Sequence, residues 1–432
     1  MNFVDTIFAI SSGLPPAAIA VLRISGHAAL PAARKLAGDL PEARRAAVRL
    51  LSDPDSGSPL DRALVLCFPE PASATGEDIV ELHLHGGRAV VRRVEQALAA
   101  IPGLRRAEPG EFTRRALANG RIDLTEAEGL GDLLSAETEA QRRRALALAE
   151  GGLRARIEAW TQRLLAIAAR LEAMLDHSDE EDVAASQAGI ARIRADAAAL
   201  VEEIAAILAL PPAERLHDGL RVVLAGPPNA GKSTLLNALA GRDAAIVSPI
   251  AGTTRDRIEV PLFHGGIAYL FIDTAGLAES TSDAIEAIGI ARARDALENA
   301  DIILWLGDDA PPDLGNAIAV HARADAAERS VVPEGRIAVS AHSGVGIAEL
   351  WEALDALAQT LLPPEDAITF NARQRDLGAR AALALRSCAV EQDEILMAEH
   401  LRAARAAFDS ITGRADVESM LDALFSRFCI GK

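Results

Sequence analysis

Gly226-Pro-Pro-Asn-Ala-Gly-Lys-Ser233 is the most informative stretch of this 432-residue sequence, because it matches the phosphate-loop pattern G-x-x-x-x-G-K-[ST]. A short apolar run, Arg221-Val-Val-Leu-Ala225, precedes it, and an amphipathic helix is predicted to follow from Thr234. In that setting backbone N–H groups can curl around phosphates, and the helix N-terminus adds positive potential. The stretch therefore predicts a nucleotide-binding α/β fold. The alternative is a tight strand–helix turn without a ligand.

The polar residues of this loop suit nucleotide chemistry. Lys232 is expected to reach the β- and γ-phosphates, and the Ser233 hydroxyl is expected to bind Mg²⁺. The other predicted nucleotide contacts of the loop are Asn229, Ala230, Gly231 and Thr234.

A second stretch, Asp273-Thr-Ala-Gly276, follows the predicted strand Tyr269-Leu-Phe-Ile272. A carboxylate at a strand end suits a water-mediated contact to Mg²⁺, which we assign to Asp273. The Gly276 N–H can donate to the γ-phosphate and so sense hydrolysis. The nucleotide contacts predicted beside it are Thr274 and Ala275.

Between these stretches lies the polar turn Gly252-Thr-Thr-Arg-Asp256. It could place Thr253 or Thr254 on Mg²⁺. Such a turn is weak evidence by itself, but its order relative to the other two stretches predicts a switch loop.

Composition indicates a globular protein without a strong nucleic-acid footprint. Half of the residues are hydrophobic and 3% are aromatic, which favours helix-rich domains. The formal charge of −18 argues against a nonspecific nucleic-acid binder, although it leaves room for a local basic patch. Three cysteines without C-x-x-C spacing, no signal-peptide pattern and no long apolar run predict a cytoplasmic protein without a membrane span.

The pattern of apolar residues divides the chain into four segments. Residues 1–121 predict a small α+β domain, and residues 122–214 are helical. Strands and helices alternate over 215–365, which predicts a mostly parallel sheet with helices on both faces, and the helical pattern returns over 366–432. The predicted fold is therefore multidomain, with the α/β domain inserted into one helical domain. Elements predicted in the first segment are strands 19–24 and 63–68 and helices near 27–37 and 88–100.

The run Ile79-Val-Glu-Leu-His-Leu-His85 predicts a strand with one apolar and one polar face. The polar face carries Glu81, His83 and His85. Three interpretations remain open: Glu81 accepts hydrogen bonds from a pterin, Glu81 and the histidines hold a metal, or the face is only structural.

Arginines outnumber acidic residues shortly after this strand. They could meet RNA phosphates or the acidic tail of a folate, and a solvated charged face is an equal alternative. The residues concerned are Arg105, Arg106, Arg114, Arg115 and Arg121.

Several stretches resemble one family of GTPases. Asn229, the turn 252–256 and Asp273-Thr-Ala-Gly-Leu277 resemble the TrmE–Era–Der branch. The resemblance narrows to the MnmE/TrmE family on four further stretches: Asp5-Thr-Ile7, Leu22-Arg-Ile-Ser-Gly26, Pro109-Gly-Glu-Phe-Thr113 and Phe428-Cys-Ile-Gly-Lys432. It covers nearly the whole chain, and the terminal Cys-Ile-Gly-Lys is its most specific element.

The resemblance implies a tRNA-modification GTPase whose inserted domain is a Ras-like P-loop G domain that binds GTP. The family acts with an FAD-containing partner, MnmG (GidA), to add a (carboxymethyl)aminomethyl group at C5 of the wobble uridine (position 34) of certain tRNAs. The carbon is expected from a reduced folate, 5,10-methylene- or 5-formyl-tetrahydrofolate, bound by the N-terminal domain. The family forms a homodimer through that domain, and its G domains pair across K⁺ during hydrolysis.

Residues for hydrolysis carry over from the resemblance one at a time. Glu286 matches the glutamate that orients the attacking water through a bridging water, although a solvent-facing helix acid would look the same. The other catalytic residues expected are Lys232, Thr254 and Gly276. The expected K⁺ ligands are Asn229, Ser248, Ile250 and Thr253, and the expected Mg²⁺ ligands are Ser233 and Thr254.

Residues for folate chemistry match at both ends of the chain. The folate-contacting positions correspond to Arg23, Glu81, Arg121 and Lys432. Arg121 stands where the family usually has lysine, which keeps the charge but changes the geometry. Cys429 is a candidate nucleophile, with simple packing as the alternative.

The guanine-reading loop departs from the family pattern Asn-Lys-x-Asp. Asp325 remains as the acceptor for guanine N1–H and N2–H, but Ala322 replaces the asparagine and Arg323 replaces the lysine that packs over the base. Ser340 and Ala341 fit the last guanine-contacting loop. We therefore expect selective but weakened GTP binding.

Two other functions compete with tRNA modification. One is a ribosome-assembly GTPase that switches without modification chemistry, against which stands the absence of a recognisable terminal RNA-binding module. The other is a folate enzyme with a regulatory GTPase attached.

Overall fold

Two six-stranded sheets, one in each of two structural units, organise the chain. The computed structural model describes residues 4–176, 183–242, 259–273, 295–311, 315–364 and 367–414, together with Phe425, Phe428 and Gly431. The first unit comprises Met1–Gly131, Leu148–Ala159 and Phe408–Lys432, and the second comprises Asp132–Ala147 and Trp160–Ala407.

The first sheet is largely antiparallel. Its strands are β1 (Thr6–Ile10), β2 (Ile19–Ser25), β3 (Ala47–Ser52), β4 (Pro59–Phe68), β5 (Ile79–His85) and β6 (Leu104–Arg106), and the same segment holds helices α1 (Ala29–Ala37), α2 (Arg88–Ala99) and α3 (Glu111–Ala118). The strand order is β3-β4-β5-β2-β1-β6, and only β1 and β6 pair in parallel among these strands. The strands and helices predicted in this segment are confirmed, although β4 begins earlier than expected.

Strand β5 has the two different faces that its sequence predicts. Val80, Leu82 and Leu84 are buried, whereas Glu81 and His83 are partly exposed on the opposite face. The buried face forms a core with residues of the helices, among them Leu36, Val91, Val94 and Leu98.

The end of the chain returns to β1. Gly431 has φ +101°, and a Cβ built on it would lie 1.9 Å from the carbonyl oxygen of Ile10. The Ser11 hydroxyl donates a hydrogen bond of 2.8 Å to the Gly431 carbonyl. Only glycine fits this position, so Gly431 is held against the sheet. Near the C-terminus, the described residues include Phe425 and Phe428, whose ring centroids are 5.8 Å apart.

Further helices lie before, within and after the segment that forms the second sheet. They are α4 (Leu124–Ser135), α5 (Glu139–Ala149), α6 (Gly152–Asp176), α7 (Val183–Leu208), α8 (Glu214–His217), α9 (Lys232–Arg242), α10 (Ile347–Leu361), α11 (Ala372–Val390) and α12 (Glu394–Thr412). Helix α11 packs against α7. It begins with a capping box, in which Asn371 and Gln374 bond reciprocally.

The second sheet is mixed. Its strands are β7 (Leu220–Ala225), β8 (Glu259–His264), β9 (Ile267–Asp273), β10 (Ile302–Trp305), β11 (Ala317–Ala322) and β12 (Ile337–Val339), in the order β12-β11-β10-β7-β9-β8. Strand β8 pairs antiparallel with β9, and the other pairings are parallel. Helices α9 and α10 pack on one face, and Val223 and Ile272 meet Ala296 on the other. The central strand β7 is therefore buried on both faces, and the phosphate loop begins where it ends.

Side chains of α5 hold together the segments that lead into and out of this sheet. Arg144 donates hydrogen bonds of 3.2 Å to the carbonyl oxygens of both Ala213 and Thr369. Gln141 donates to the carbonyl of Leu216 at 2.9 Å. One arginine thus bridges the two connections of the sheet.

The contact at Gly431 predicts a local effect of substitution. Gly431→Ala adds a Cβ where the Ile10 carbonyl already lies, so the chain end should be displaced from β1. We expect a stability loss of about 1–3 kcal/mol from backbone strain and lost contacts. The measurement is thermal unfolding together with the rate at which carboxypeptidase releases the C-terminal residues. Gly57→Ala is the control, because Gly57 also has positive φ (+70°) but no atom within 4 Å of its Cβ position. Equal release rates for the two variants would contradict the prediction.

Candidate functional site

The phosphate loop is held in its curled form by its own lysine. Gly226, Asn229 and Gly231 have φ values of +143°, +60° and +95°. A Cβ at Gly226 would lie 3.0 Å from the Gly307 backbone nitrogen, which explains the glycine. Lys232, the first residue of α9, donates from Nζ to the carbonyls of Gly226 (2.9 Å) and Pro227 (3.0 Å). Burial lowers the pKa of Lys232, and the nearby Asp273 carboxylate opposes that effect.

Two oxygen-bearing side chains meet at the end of β9. The Ser233 hydroxyl donates a hydrogen bond to Oδ2 of Asp273, the last residue of that strand. Asp273 is almost completely buried. Mg²⁺ prefers oxygen ligands. The Ser233 hydroxyl and the Asp273 carboxylate, which meet beside the phosphate loop, therefore fit the predicted metal position.

One cavity of about 860 Å³ joins the phosphate loop to the predicted base-reading loop. Its lining comes from the ends of β7, β11 and β12, where ligands bind in open α/β sheets. From the phosphate loop the lining includes Asn229, Ala230, Gly231, Lys232, Ser233 and Thr234, and from the opposite side Ala322, Arg323, Asp325, Ala341 and His342. The structure therefore brings together residues that lie far apart in the sequence.

Asp325 is exposed at the base end of the cavity. A hydrogen bond from the Ser340 side chain holds the pKa of Asp325 below its ordinary value, and Arg323 and His342 add to the effect. The carboxylate is therefore ionised at neutral pH and able to accept hydrogen bonds. Arg323 has φ +59°, and its Cγ lies 3.7 Å from the position of a Cβ built on Gly231. Its stem accordingly lies beside the phosphate loop.

In the first unit, Arg23 and Glu81 face each other across β2 and β5. Arg23 donates to Oε1 of Glu81 from Nε (3.1 Å) and Nη2 (2.8 Å), and His83 lies 3.3 Å from Oε2. The Arg23 guanidinium is also 5.7 Å from the ring centroid of Phe112. Both charged side chains remain partly exposed, so this face can still be approached.

The structure gives less information on the other two predicted folate residues, Arg121 and Lys432. Arg121 is exposed, and its stem packs beside Gly76. Lys432 lies outside the described residues, but its neighbour Gly431 contacts Ile10, which pairs with Leu22, the residue before Arg23. Gly431 thus lies against β1, the strand that pairs with the one carrying Arg23.

The metal interpretation of this face gains no support from the geometry. His85 bonds Asp61 through Nδ1 at 2.7 Å and points to a different partner from His83. Within the part of the chain that the structure describes, no group of three or more His, Cys, Asp or Glu side chains is arranged to hold a metal ion.

The arginine-rich stretch is not a uniform surface patch, which corrects part of the sequence interpretation. Arg115 is completely buried and pairs with Asp5 (2.8 Å), Glu77 (3.1 Å) and Glu111 (3.0 Å). Arg105 also pairs with Asp5 and Glu111, each at 2.6 Å. A charge cannot be left buried without partners, so Arg115 serves the interior of the unit rather than an RNA surface, whereas Arg105 remains exposed.

Several predicted site residues lie outside the described residues, and their assignments stay predictions. They are Ser248, Ile250, Thr253, Thr254, Thr274, Ala275, Gly276, Glu286, Cys429 and Lys432.

The sequence interpretation missed a polar cluster behind the base-reading loop. His321 is buried at the end of β11 and contacts Arg329, which pairs with Asp308. No spacing rule relates these residues, because they come from three different segments. The one available signal was a histidine within an otherwise apolar strand.

Comparison with known proteins identifies relatives over the whole chain. The model of the GTP-binding protein TrmE N-terminus matches residues 6–121, and the model of the MnmE helical domain matches residues 124–429. Proteins named tRNA modification GTPase MnmE are similar from Rhizorhabdus wittichii (57% identity; 99% of this chain, 97% of that protein) and Erythrobacter litoralis (55%; 99% and 100%). A crystal structure of Era from Aquifex aeolicus bound to GDP and AlF4− matches 41% of this chain and 69% of that chain, with 28% identity and a TM-score of 0.25.

The position of Asp325 predicts how its substitution changes base preference. Asp325→Asn replaces one acceptor oxygen with an amide N–H, which repels the N2–H₂ of guanine and suits the O2 of xanthine. GTP affinity should fall by roughly ten- to a hundredfold, and xanthosine triphosphate should become the preferred nucleotide. Competition against a fluorescent guanine nucleotide measures both changes. An unchanged order of GTP and xanthosine triphosphate would refute the assignment of Asp325.

Proposed function

The chain belongs to the MnmE family of tRNA modification GTPases, and on that premise we propose that it adds a (carboxymethyl)aminomethyl group at C5 of the wobble uridine (position 34) of certain tRNAs. The partner proposed for this reaction is an FAD-containing protein like MnmG (GidA). The observation that carries the GTPase part is the single cavity that joins Lys232 and Ser233 at one end to Asp325 at the other.

In this proposal each end of the cavity has its own task. Lys232 exchanges its two carbonyl contacts for phosphate oxygens, and the N–H groups at the start of α9 orient the phosphates. Ser233 would hold Mg²⁺ directly and Asp273 through a water, and the ion would supply positive charge next to the β- and γ-phosphates. Asp325 accepts from the guanine edge, and Arg323 lies beside the base.

We further propose that K⁺ supports hydrolysis, with Asn229, Ser248, Ile250 and Thr253 as ligands. Asn229 supports this assignment because it lines the cavity in a left-handed conformation that turns the loop around the phosphates. The remaining proposed roles in hydrolysis belong to Thr254 on Mg²⁺, to Gly276 at the γ-phosphate and to Glu286 on the attacking water. Thr274 and Ala275 complete the nucleotide contacts.

A second site is proposed for the reduced folate, 5,10-methylene- or 5-formyl-tetrahydrofolate. The partly exposed Arg23–Glu81 pair offers a donor and an acceptor beside the Phe112 ring, a combination that suits a flat heteroaromatic group. Arg121 and Lys432 would bind the acidic tail. Gly431 contacts β1, and Cys429 lies two positions before it in the sequence. We therefore include a chemical role for the Cys429 thiol in the proposal for the folate site.

The domain organisation proposed for this function has four segments: an N-terminal folate-binding and dimerisation domain (1–121), a helical domain (122–214 and 366–432) and an inserted G domain (215–365). A homodimer through residues 1–121 would place two folate sites in one particle. A tRNA substrate favours a cytoplasmic location. Among the described residues, the structure has no helix that is long and apolar enough to cross a membrane.

Nucleoside analysis tests the proposed reaction. In a strain that lacks this gene, mass spectrometry of digested tRNA should show loss of the C5-substituted wobble uridine, and the wild-type gene should restore it. Lys232→Ala should fail because phosphate binding is lost, and Glu81→Ala should fail although its GTP hydrolysis persists. Arg62→Ala, an exposed change on β4, serves as the control. Unchanged tRNA nucleosides in the deletion strain would favour a GTPase switch without modification chemistry.

The proposed K⁺ site predicts a salt effect. GTP turnover should be at least about tenfold faster in K⁺ than in Na⁺ at equal ionic strength, because a bound cation stabilises charge that develops on the phosphates. Asn229→Ala should remove most of this difference. The measurement is phosphate release in both salts, with Asn299→Ala as a control in a turn outside the phosphate loop. Equal rates in K⁺ and Na⁺ would rule out the K⁺ site.

A further inference from the structure

The base-reading loop is an excursion of the chain between the end of β11 and the start of β12. It contains Arg323, Asp325 and a 3₁₀ turn at Ala327–Arg329. Ala322, the last residue of β11, carries no polar group that could fasten this loop, and its side chain packs in the core. The position of Asp325 must therefore be set by other contacts.

His321 closes the far end of the loop. It is 4% exposed, and its Nε2 lies 2.9 Å from the carbonyl oxygen of Arg329 while its Nδ1 lies 3.1 Å from Nη2 of the same residue. Arginine only donates and a carbonyl only accepts, so Nδ1 is the acceptor and Nε2 carries the hydrogen. One buried ring thus bonds both the backbone and the side chain of the residue that ends the 3₁₀ turn.

Arg329 is itself fixed by a third segment. Its guanidinium makes two hydrogen bonds to Asp308, of 2.7 Å and 3.1 Å, in the segment that follows β10. The hydrogen bond from Arg329 lowers the pKa of Asp308 below its ordinary value. Arg336 donates to the Gly307 and Asp309 carbonyls of that segment as well. The contacts form a chain from β11 through the loop to the segment after β10.

The near end of the loop needs this support. Arg323 has φ +59°, a conformation that costs a residue with a Cβ about 1 kcal/mol or more and persists only where the surroundings impose it. Backbone bonds from Ala324 to Val339 (3.1 Å) and from Ala326 to Arg323 (3.0 Å) hold the turn itself. The hydrogen bonds between His321 and Arg329 hold the other end of the loop, at the 3₁₀ turn, close to β11.

We propose that His321, acting through Arg329 and Asp308, is the positioning residue that keeps Asp325 aimed at the guanine edge. This inference rests on the proposed GTP site. His321 does not touch the nucleotide in this proposal. It sets base selectivity, and the phosphate end should not depend on it.

The test compares GTP with inosine triphosphate, which lacks only the N2 amino group. Both compete against a fluorescent guanine nucleotide, and the ratio of their inhibition constants does not depend on the fraction of folded protein. His321→Leu fills the buried space but removes both hydrogen bonds, so the preference for GTP should fall by about tenfold. His321→Gln can restore a donor to the Arg329 carbonyl and should recover part of the preference.

A double variant tests whether the residues act as one chain. Arg329→Met alone should lower the GTP preference, and its combination with His321→Leu should lower it no further than the larger single effect. His264→Leu is the matched control, because His264 also makes a side-chain hydrogen bond, to Asp355 at 2.9 Å, and stacks on Trp351, but it does not line the cavity. Its ratio should equal that of the wild type.

The possible results distinguish a failure of the proposed guanine site from a failure of the role proposed for His321. A wild-type protein that binds GTP and inosine triphosphate equally would overturn the proposed guanine site and this inference with it. A wild-type preference for GTP that His321→Leu leaves intact would overturn this inference alone. Strictly additive losses in the double variant would also overturn it, because independent residues would then be responsible.

Discussion

The hydrogen bonds from Lys232 to the carbonyls of Gly226 and Pro227 are the contacts on which the nucleotide site depends. They bring a cation to the centre of a loop that has three residues with positive φ, and they supply the lysine with acceptors. Burial lowers the pKa of this ammonium, so leaving it without acceptors would be costly. The curl of the loop and the position of its lysine therefore depend on each other.

The two ends of the cavity are built in different ways. At the phosphate end, backbone N–H groups and the helix N-terminus provide most of the proposed phosphate contacts. The sequence must therefore supply glycines and a lysine at fixed spacing. At the base end the chain relies on side chains from separate segments, because Ala322 contributes no polar atom. Asp325 is exposed and Arg323 is half solvated, whereas the buried ring of His321 stands behind them. In the proposed function, base selectivity therefore depends on contacts between distant segments, whereas phosphate affinity depends on one local loop.

This difference explains how much the sequence could predict. The strand, loop and helix around Gly226–Ser233 follow from a local pattern, and the alternation along β5 correctly separates Val80 from Glu81. The arginines after residue 104 were misjudged in part, because composition cannot tell that Arg115 is enclosed by carboxylates that come from distant segments. The His321 cluster was missed for the same reason. The periodicity of apolar residues predicts which face of a strand or helix is buried. It does not predict which polar side chains from distant segments contact each other.

Arg144 links the site to the helices of its unit. Burial lowers the pKa of Arg144, which shows that desolvation of this charge is unfavourable. The hydrogen bonds that Arg144 donates to the carbonyls of Ala213 and Thr369 offset part of this desolvation cost. A rotation of the second sheet away from α5 would have to break bonds on both connections at once and leave a buried guanidinium without acceptors. Gln141 adds a further bond to the segment that leads into β7. Side chains of the single helix α5 therefore hold both connections of the second sheet.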